Sequence, residues 1–559
     1  MIPAVSARRA GQLLLPAATA GAALTAVLLA RHAVFLAPLN VDEELTIRLG
    51  DFSFGHIFHI VSTQRGGGPL HFWLEHFLLG WSPSLQALRL PSLVFFCLAL
   101  PAVALIAREL ESAEVAAGVV LLVAASPVPE SYATFGRPHT MLFAWLMWAT
   151  VAVLRAARTG SRAWWIGGGF ALGTSVFVHP TAPLYAITAF GGALVLAARP
   201  WRAVVREAWP GAAALVVGFL PYYLVTLHVL SDRYGLGASK TGRTFDGKPV
   251  WEDALGFLAP GRHDVNVFSA LCVVGLAALL VGRRYRVALF CAGTVVVPVV
   301  FFSVVPANGT SALFFDRYVI PSTPAFLVLV VAGCAAIARW AGPLRLVVLA
   351  LLVGGLLATE IRVDVPRQDV LRELGLSRIA DVVRGLDDTV VFGATGTSDP
   401  DALAGAFTFG RPAPLLNRYL SLRIGDLDQV DDDSCARLAP FLLGPQTPKH
   451  GLWIFYAAAP DQEARGAAAF AGLRAVTVSR PVAGYLLLRS RAALPPRALV
   501  LLGRRLRLRW QQAVPENTRV EESLIATREA LAHPHACPPY GVLDDPNISP
   551  HWPPLPTQT

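Results

Sequence analysis

Residues 13–44 read LLLPAATAGAALTAVLLARHAVFLAPLNVDEE, an apolar run that ends in three acids in a row. The run over 13–36 exceeds the roughly 20 apolar residues a helix needs to cross a bilayer. Its far end delivers Asp42, Glu43 and Glu44 to the membrane surface. Ionisable groups beside lipid are costly to keep, which makes such a cluster a functional-site candidate. The plainer reading of the same residues is a solvated cap, with Asn40 or Asp42 as N-cap. The residues beyond Glu44 decide between the two.

Across 559 residues the chain is 54% hydrophobic and 15% charged. That is too apolar for one soluble domain, and the apolar residues fall in membrane-length blocks. Blocks near 13–36, 90–107, 115–129, 138–154, 163–178, 181–198, 210–230, 266–282, 287–305, 318–338 and 343–359 predict about eleven transmembrane helices. Arginines mark every second connection: Arg8/Arg9, Arg108, Arg155/Arg158/Arg162, Arg199/Arg202/Arg206, Arg283/Arg284/Arg286 and Arg339/Arg345. The positive-inside rule makes these cytoplasmic, with the N-terminus. The acidic stretch, the loop 231–265 and everything beyond the last span are then outside. No small-residue cleavage site precedes the acids, so the first span reads as an anchor rather than a removable signal.

Much of the net charge of +9 is this inner arginine, so it calls for no nucleic-acid partner. Lysine occurs only at 240, 248 and 449, a bias that points to a high-GC bacterium and hence a bacterial plasma membrane. Cys97, Cys272, Cys291 and Cys334 lie inside spans. Cys435 and Cys537 fall outside, where an oxidising compartment would allow them to pair, but two cysteines so far apart read as free thiols.

Between 45 and 60, apolar residues alternate with Arg48, Asp51, His56 and His59, a pattern of helices lying on the membrane surface. Gly66-Gly67-Gly68-Pro69 then turns the chain into the aromatic re-entry Leu70-His71-Phe72-Trp73-Leu74. Arg65, just before the glycines, is placed to hold a phosphate together with exposed amides; a plain flexible turn is the alternative. Arg137 at the start of the 138–154 block and Arg317 before the 318–338 block break the inner-arginine pattern, since both fall on the outer side. Each is a phosphate candidate, against a bland role in snorkelling to lipid. Tyr132 precedes Arg137, and Asp316 beside Arg317 offers it a neutralising partner. His179-Pro180 reads as a structural histidine. Lys240 and Lys248 sit in the polar loop 231–265, whose length suits a mobile binding element.

From about 360 the composition becomes that of a soluble domain. Strands are expected at 389–392, 452–456, 475–478 and 484–488, with helices near 368–386, 433–441 and 461–471. The alternation predicts a small α/β layer domain outside the membrane over 361–490. The basic stretch 497–510 alternates Arg with apolar residues and reads as a two-faced strand or a surface-lying segment. It belongs to an extension over 491–533, with a helix near 517–532, and a Pro-rich tail at 534–559 reads as disordered.

Several short motifs stand here in a familiar order. The Asp42-Glu43 pair follows the first span, and surface helices lead to a Gly/Pro-Leu-aromatic re-entry. Leu88-Arg89-Leu90-Pro91-Ser92 opens the second span, Tyr132…Gly136-Arg137 the fourth, and Asp316-Arg317-Tyr318…Pro321 the tenth. The arrangement over about 10–360 resembles the GT-C superfamily of membrane glycosyltransferases, in particular glycosyltransferase family 39, the protein O-mannosyltransferase and aminoarabinose-transferase-like proteins. The resemblance implies a GT-C-like transmembrane domain over 1–360, with a catalytic outer loop at 37–85. It further implies transfer of a mannose- or arabinose-type sugar from a polyprenyl-phosphate donor to a hydroxyl of a protein, lipid or cell-wall glycan. Asp42 would then be the general base, assisted by Glu43. Arg65, Arg137, Arg317 and, less directly, Arg48 would face the leaving phosphate, with His71, Tyr132, Lys240 and Lys248 toward donor or acceptor. Many relatives carry Lys or His just before the re-entry proline, where this chain has Gly68. Some GT-C enzymes need a divalent metal at the acidic loop; family 39-like ones mostly do not, and the sequence shows no complete ligand set.

Other classes place charge differently. A transporter or flippase of lipid-linked sugars predicts charges at mid-span and inverted repeats, whereas here the charges cluster at the outer span ends. A ligase or polymerase of diphosphate-linked glycans, and a non-catalytic scaffold, share the outer-face arrangement.

Overall fold

The structure, a computed structural model, describes residues 4–36, 43, 46, 49–50, 52–65, 67–82, 84–233, 243–244, 249–259, 261–307, 313–373, 389–395, 447–457, 460–482 and 484–514. Asp42, Arg48, Lys240, Lys248, Cys435, Cys537 and the expected helices near 433–441 and 517–532 lie outside the described residues, as does the Arg65 side chain. The chain divides into two compact units. One comprises 1–34, 53–74 and 89–369; the other comprises 35–52, 75–88 and 370–559.

The first unit is helical. In chain order the helices are α1 (Ala4–Leu36), α2 (Phe54–His59), a π-helical turn at Ile60–Arg65, α3 (Pro69–Trp81) and α4 (Leu85–Leu110), of which residues 35–36, 75–81 and 85–88 belong to the second unit. Next come α5 (Ala113–Ala125), α6 (Pro127–Ala133), α7 (His139–Thr159), α8 (Arg162–Thr174), α9 (Ala182–Leu196) and α10 (Trp201–Arg233). After a two-residue strand β1 (Arg243–Thr244) follow α11 (Val250–Leu258), α12 (Gly261–Val281) and α13 (Tyr285–Val304). Strand β2 (Leu313–Phe314) pairs in parallel with β1 and leads through a 3₁₀ turn at Asp316–Ser322 into α14 (Thr323–Ala338) and α15 (Arg345–Glu373). Start signals are local: the Ser112 side chain accepts from the Val115 amide, and the Ser161 side chain from that of Trp164. Gly160 stops α7 at φ 76°, a left-handed conformation that glycine adopts without strain.

The count of about eleven spans is corrected by these helices. Among the described residues six helical runs are long and apolar enough to cross a membrane: Leu13–Arg31, Gln86–Leu110, His139–Thr159, Trp201–Ser231, Tyr285–Val304 and Asp316–Val363. The number becomes seven if α5 and α6, bent by 58° at their junction, form one broken span. Hydropathy overcounted because several apolar blocks are short helices. Helix α8 has 13 residues and α9 has 15, the apolar part of α12 is Val265–Val281, and the last two blocks join in one run of 48 residues. Within that run, Gly342 at φ 55° turns the chain. Pro127 breaks the 115–129 block, as a proline without an amide hydrogen does.

Small residues set how closely the helices pack. A Cβ on Gly169 or Gly173 of α8 would overlap backbone of α10, and Gly275 of α12 and Gly333 of α14 meet each other's helix in the same way. Without water between helices, close backbone approach and dispersion take the place of the hydrophobic drive. The polar loop expected over 231–265 is partly ordered by the same core. Val250, Ala254 and Leu258 of α11 are buried, and Phe257 packs on Phe314 at 5.9 Å.

The second unit contains a small C-terminal domain built around a four-stranded sheet. Strands β3 (Thr389–Thr395), β4 (His450–Tyr456), β5 (Val476–Val482) and β6 (Tyr485–Ser490) lie in the order β3-β4-β6-β5. The β3–β4 pair is parallel and the other two are antiparallel. Helices α16 (Pro460–Phe470) and α17 (Pro496–Ala513) complete it. The 497–510 stretch is therefore a helix. Local Arg/apolar alternation suggested a strand, but Leu499, Leu502, Leu506 and Trp510 recur at helical spacing. The first, third and fourth of these are fully buried, and Trp510 stacks on Phe470 and lies 5.1 Å from Phe455.

Candidate active site

The re-entry places its first functional side chain from α3. Proline at the first position of α3 suits a helix start, and two backbone ties bring the chain there. The Gly67 amide donates to Val61 O at 2.7 Å, and Tyr222 OH donates to Gly67 O at 2.9 Å. Gly68 is pressed against the peptide of Val178: a Cβ at this position would overlap Val178 and Phe177 backbone. Close backbone approach, more than flexibility, is what this glycine provides, and a Lys or His side chain would find no room here.

His71, 1% exposed, sits one turn into α3, and its Nε2–H donates to Gly136 O at 3.2 Å. Burial first, and then the Arg137 guanidinium, lower its pKa to about 3 against the pull of that carbonyl, so His71 is neutral. Ser92 of α4 donates to Phe135 O at 2.6 Å and lies 3.4 Å from Arg137 O, tying down the same turn. The Arg137 guanidinium lies 5.9 Å from the Phe72 ring centre. Arg89, buried, donates to Ala33 O at 3.0 Å and joins α4 to α1.

Arg317 comes from the 3₁₀ turn before α14. Its guanidinium lies 4.0 Å from the Phe315 ring centre and 5.5 Å from that of Tyr318, and Tyr318 stacks on Phe302 at 4.6 Å. Tyr185 OH donates to Tyr318 O. Asp316 Oδ1 accepts from Tyr132 OH at 2.7 Å and from the Arg317 amide at 2.8 Å, which links α6 to this turn.

Two histidines lie where these elements meet. His139 and His179 have ring centres 5.2 Å apart, and His139 is 4.9 Å from the Tyr132 ring. His179 Nδ1 is 2.8 Å from Thr181 Oγ1 and accepts from the Thr181 amide, 3.3 Å away. Its pKa falls to about 3 through burial, then the Arg317 guanidinium, then that of Arg137. Both arginines therefore act on one neutral imidazole, from segments 180 residues apart in sequence. His139 Nε2 is buried with no hydrogen-bond partner among the described residues. The structure thus brings Arg137, Arg317, Tyr132 and His71 into one connected network. Sequence reading missed His139 and took His179 as structural; the one signal was that each abuts a proline at a span end, as Arg137 does.

Glu43, the described member of the acidic pair, belongs to the second unit. It is fully buried, as are Thr46 and Leu49 on the same stretch. Its neighbour is Glu75 of α3, also fully buried, whose carboxyl oxygens have no hydrogen-bond partner among the described residues. Burial first, and then Glu43, raise the Glu75 pKa to about 9, so Glu75 carries a proton at neutral pH. Nearby, His76 Nδ1–H donates to Gly50 O at 2.6 Å and fixes the stretch against α3. Among the described residues no group of three His, Cys, Asp or Glu is arranged to hold a metal.

Comparison with known proteins fits this architecture. Residues 67–225 match the family described as dolichyl-phosphate-mannose-protein mannosyltransferase. Among solved structures, apo ArnT from Cupriavidus metallidurans superposes with a TM-score of 0.51 at 16% identity, over 85% of this chain and 98% of that one. The same protein bound to undecaprenyl phosphate gives 0.49 at 14% identity, over 83% and 96%. The apo Archaeoglobus fulgidus oligosaccharyltransferase gives 0.43 at 12% identity, over 63% and 56%. Comparison with curated proteins gives no match. The fold is similar to that of ArnT, and residues 67–225 carry the likeness to the mannosyltransferase family.

Proposed function

We propose that the enzyme transfers a sugar, of mannose or arabinose type, from a polyprenyl-phosphate donor to an acceptor hydroxyl on a protein, lipid or cell-wall glycan. The observation that carries this reading is the convergence of Arg137 and Arg317 on the paired rings of His139 and His179. A lipid phosphate gains negative charge as the glycosidic bond breaks. Preorganised guanidiniums in a site poor in water stabilise that charge far more than water would. A neutral His179 adds no further cation beside the two arginines. Asp42 is the general base that takes the acceptor proton, Glu43 assists it, and direct displacement inverts the anomeric centre. Arg65 and Arg48 act toward the phosphate, and Lys240 and Lys248 toward donor or acceptor. The topology that goes with this reaction has the N-terminus cytoplasmic and the C-terminal domain extracytoplasmic, in a bacterial plasma membrane.

The test is a transfer assay on membranes with a panel of labelled polyprenyl-phosphate sugars and envelope extract, comparing wild type with Asp42→Asn and Arg317→Ala. Loss of transfer in both variants, with donor binding retained in Asp42→Asn and weakened in Arg317→Ala, supports the assignment and names the sugar. Transfer unchanged in Asp42→Asn removes it as base. Absence of transfer from every donor by the wild-type protein defeats the reading and turns attention to flipping or ligation.

A further inference from the structure

We infer that the membrane domain holds a second lipid site, for the headgroup of an anionic phospholipid carrying one phosphodiester, at the end of the helix bundle away from the arginine–histidine network. The α4–α5 junction, the α12–α13 turn and the turn Arg339–Leu344 surround a cavity of about 420 Å³. Ligand pockets are typically about 300–1,000 Å³. Its inner wall is made of small residues, Ala278, Ala332, Ala335 and Ala338, which is why a void exists between packed helices. The arginine–histidine network reaches α4 at Ser92, whereas this cavity begins at Glu111. Roughly 18 residues of helix, or about 27 Å, separate the two along α4.

Charge around the cavity is uneven. Arg284, Arg339 and Arg345 line it, against Glu111 and Glu114. Arg284 is committed: it pairs with Glu111 at 2.5 Å and donates to Leu110 O at 2.5 Å. Glu114 hydrogen-bonds the Ser112 side chain and feels Arg345 and Arg108. Arg339 makes no hydrogen bond or ion pair with any described residue. Three guanidiniums less two carboxylates leave one positive charge on the lining, the complement of a singly charged phosphodiester.

The mouth is apolar. Trp340 is 94% exposed, and Leu344 and Leu346 are 61% and 53% exposed beside Arg339 and Arg345. An exposed tryptophan at a helix end is at home among lipid headgroups. Basic pockets between membrane helices select anionic headgroups by the same combination of charge and adjoining apolar surface. A soluble phosphate would satisfy the arginines and leave Trp340 and the leucines uncovered, so the lipid is favoured. This site is independent of the sugar-transfer reading.

The experiment uses the full-length protein purified in a neutral detergent. Native mass spectrometry and thermal unfolding are followed while phosphatidylglycerol, phosphatidylcholine or inorganic phosphate is added. Wild type is expected to retain phosphatidylglycerol at least ten-fold better than phosphatidylcholine and to be stabilised by it. Arg339→Gln/Arg345→Gln should lose that preference. Ala335→Leu, which fills the void without touching charge, should weaken retention while unfolding as cooperatively as wild type. Arg317→Ala should retain the lipid unchanged. Undiminished retention in both the double variant and Ala335→Leu overturns the site, as does equal binding of phosphatidylcholine. Displacement of the lipid by inorganic phosphate at equal concentration would assign the cavity to a soluble anion instead.

Discussion

Two buried polar clusters in this molecule meet the same difficulty in opposite ways. Around Arg137 and Arg317 the protein keeps the guanidiniums charged: His71 and His179 give up their protons, aromatic rings lie near the guanidiniums, and the Asp316 carboxylate accepts from the Arg317 amide. Around Glu43 and Glu75 it removes charge: one carboxyl takes up a proton because two anions side by side out of water cost too much. Formal charge in a sequence therefore says little about charge in a fold. Arginine stays protonated under nearly any burial, whereas histidine and glutamate move by several pH units.

The arginine cluster is the more exposed to challenge. Replacing Arg137 and Arg317 together by alanine is expected to lower transfer by about 10²–10³-fold, the scale of losing preorganised charge stabilisation. A transfer assay at saturating acceptor checks this, and a loss under ten-fold would demote the cluster to a structural role. Gly68→Ala should come next, costing about 1–3 kcal/mol because the added methyl meets backbone that has nowhere to go. Thermal unfolding in detergent reads that cost; a neutral result would show that the re-entry can shift.

For the acid pair the expected effect depends on pH. The Glu75 pKa is raised on folding, so between the usual carboxylate range and about 9 the folded protein holds a proton that the unfolded chain releases. Stability contributed at this position is therefore greatest in acid and falls as pH rises, at up to about 1.4 kcal/mol per pH unit. Glu75→Gln should match wild type near pH 5 and unfold at a higher temperature than wild type at pH 8. Parallel curves across pH would mean that Glu75 is ionised after all. The histidines run the other way. His71 and His179 have lowered pKa values, so their contribution is present above about 6.5 and is lost as pH falls toward 3. The smallest effect expected is that of Tyr132→Phe, which removes the hydrogen bond to Asp316 for about 0.5–1.5 kcal/mol. It should weaken donor binding several-fold without altering the pH profile.

What the sequence determined by itself was the class of the molecule, a multi-pass membrane protein. Apolar blocks of membrane length are a one-dimensional signal, because they rest on composition along the chain. Strands near 389–392, 452–456, 475–478 and 484–488 were legible for the same reason, and the sheet holds strands there. Only the tertiary structure decided how many blocks are long enough to span, since a helix ends where Pro127 or Gly342 turns it and hydropathy averages across such breaks. Only the fold joined Arg137 to Arg317 and revealed His139 and His179 between them, because side chains from distant segments meet through packing that no local pattern encodes. Protonation was decided there too: Glu75 and His179 look ordinary as letters, and the water that burial takes from them sets their charge.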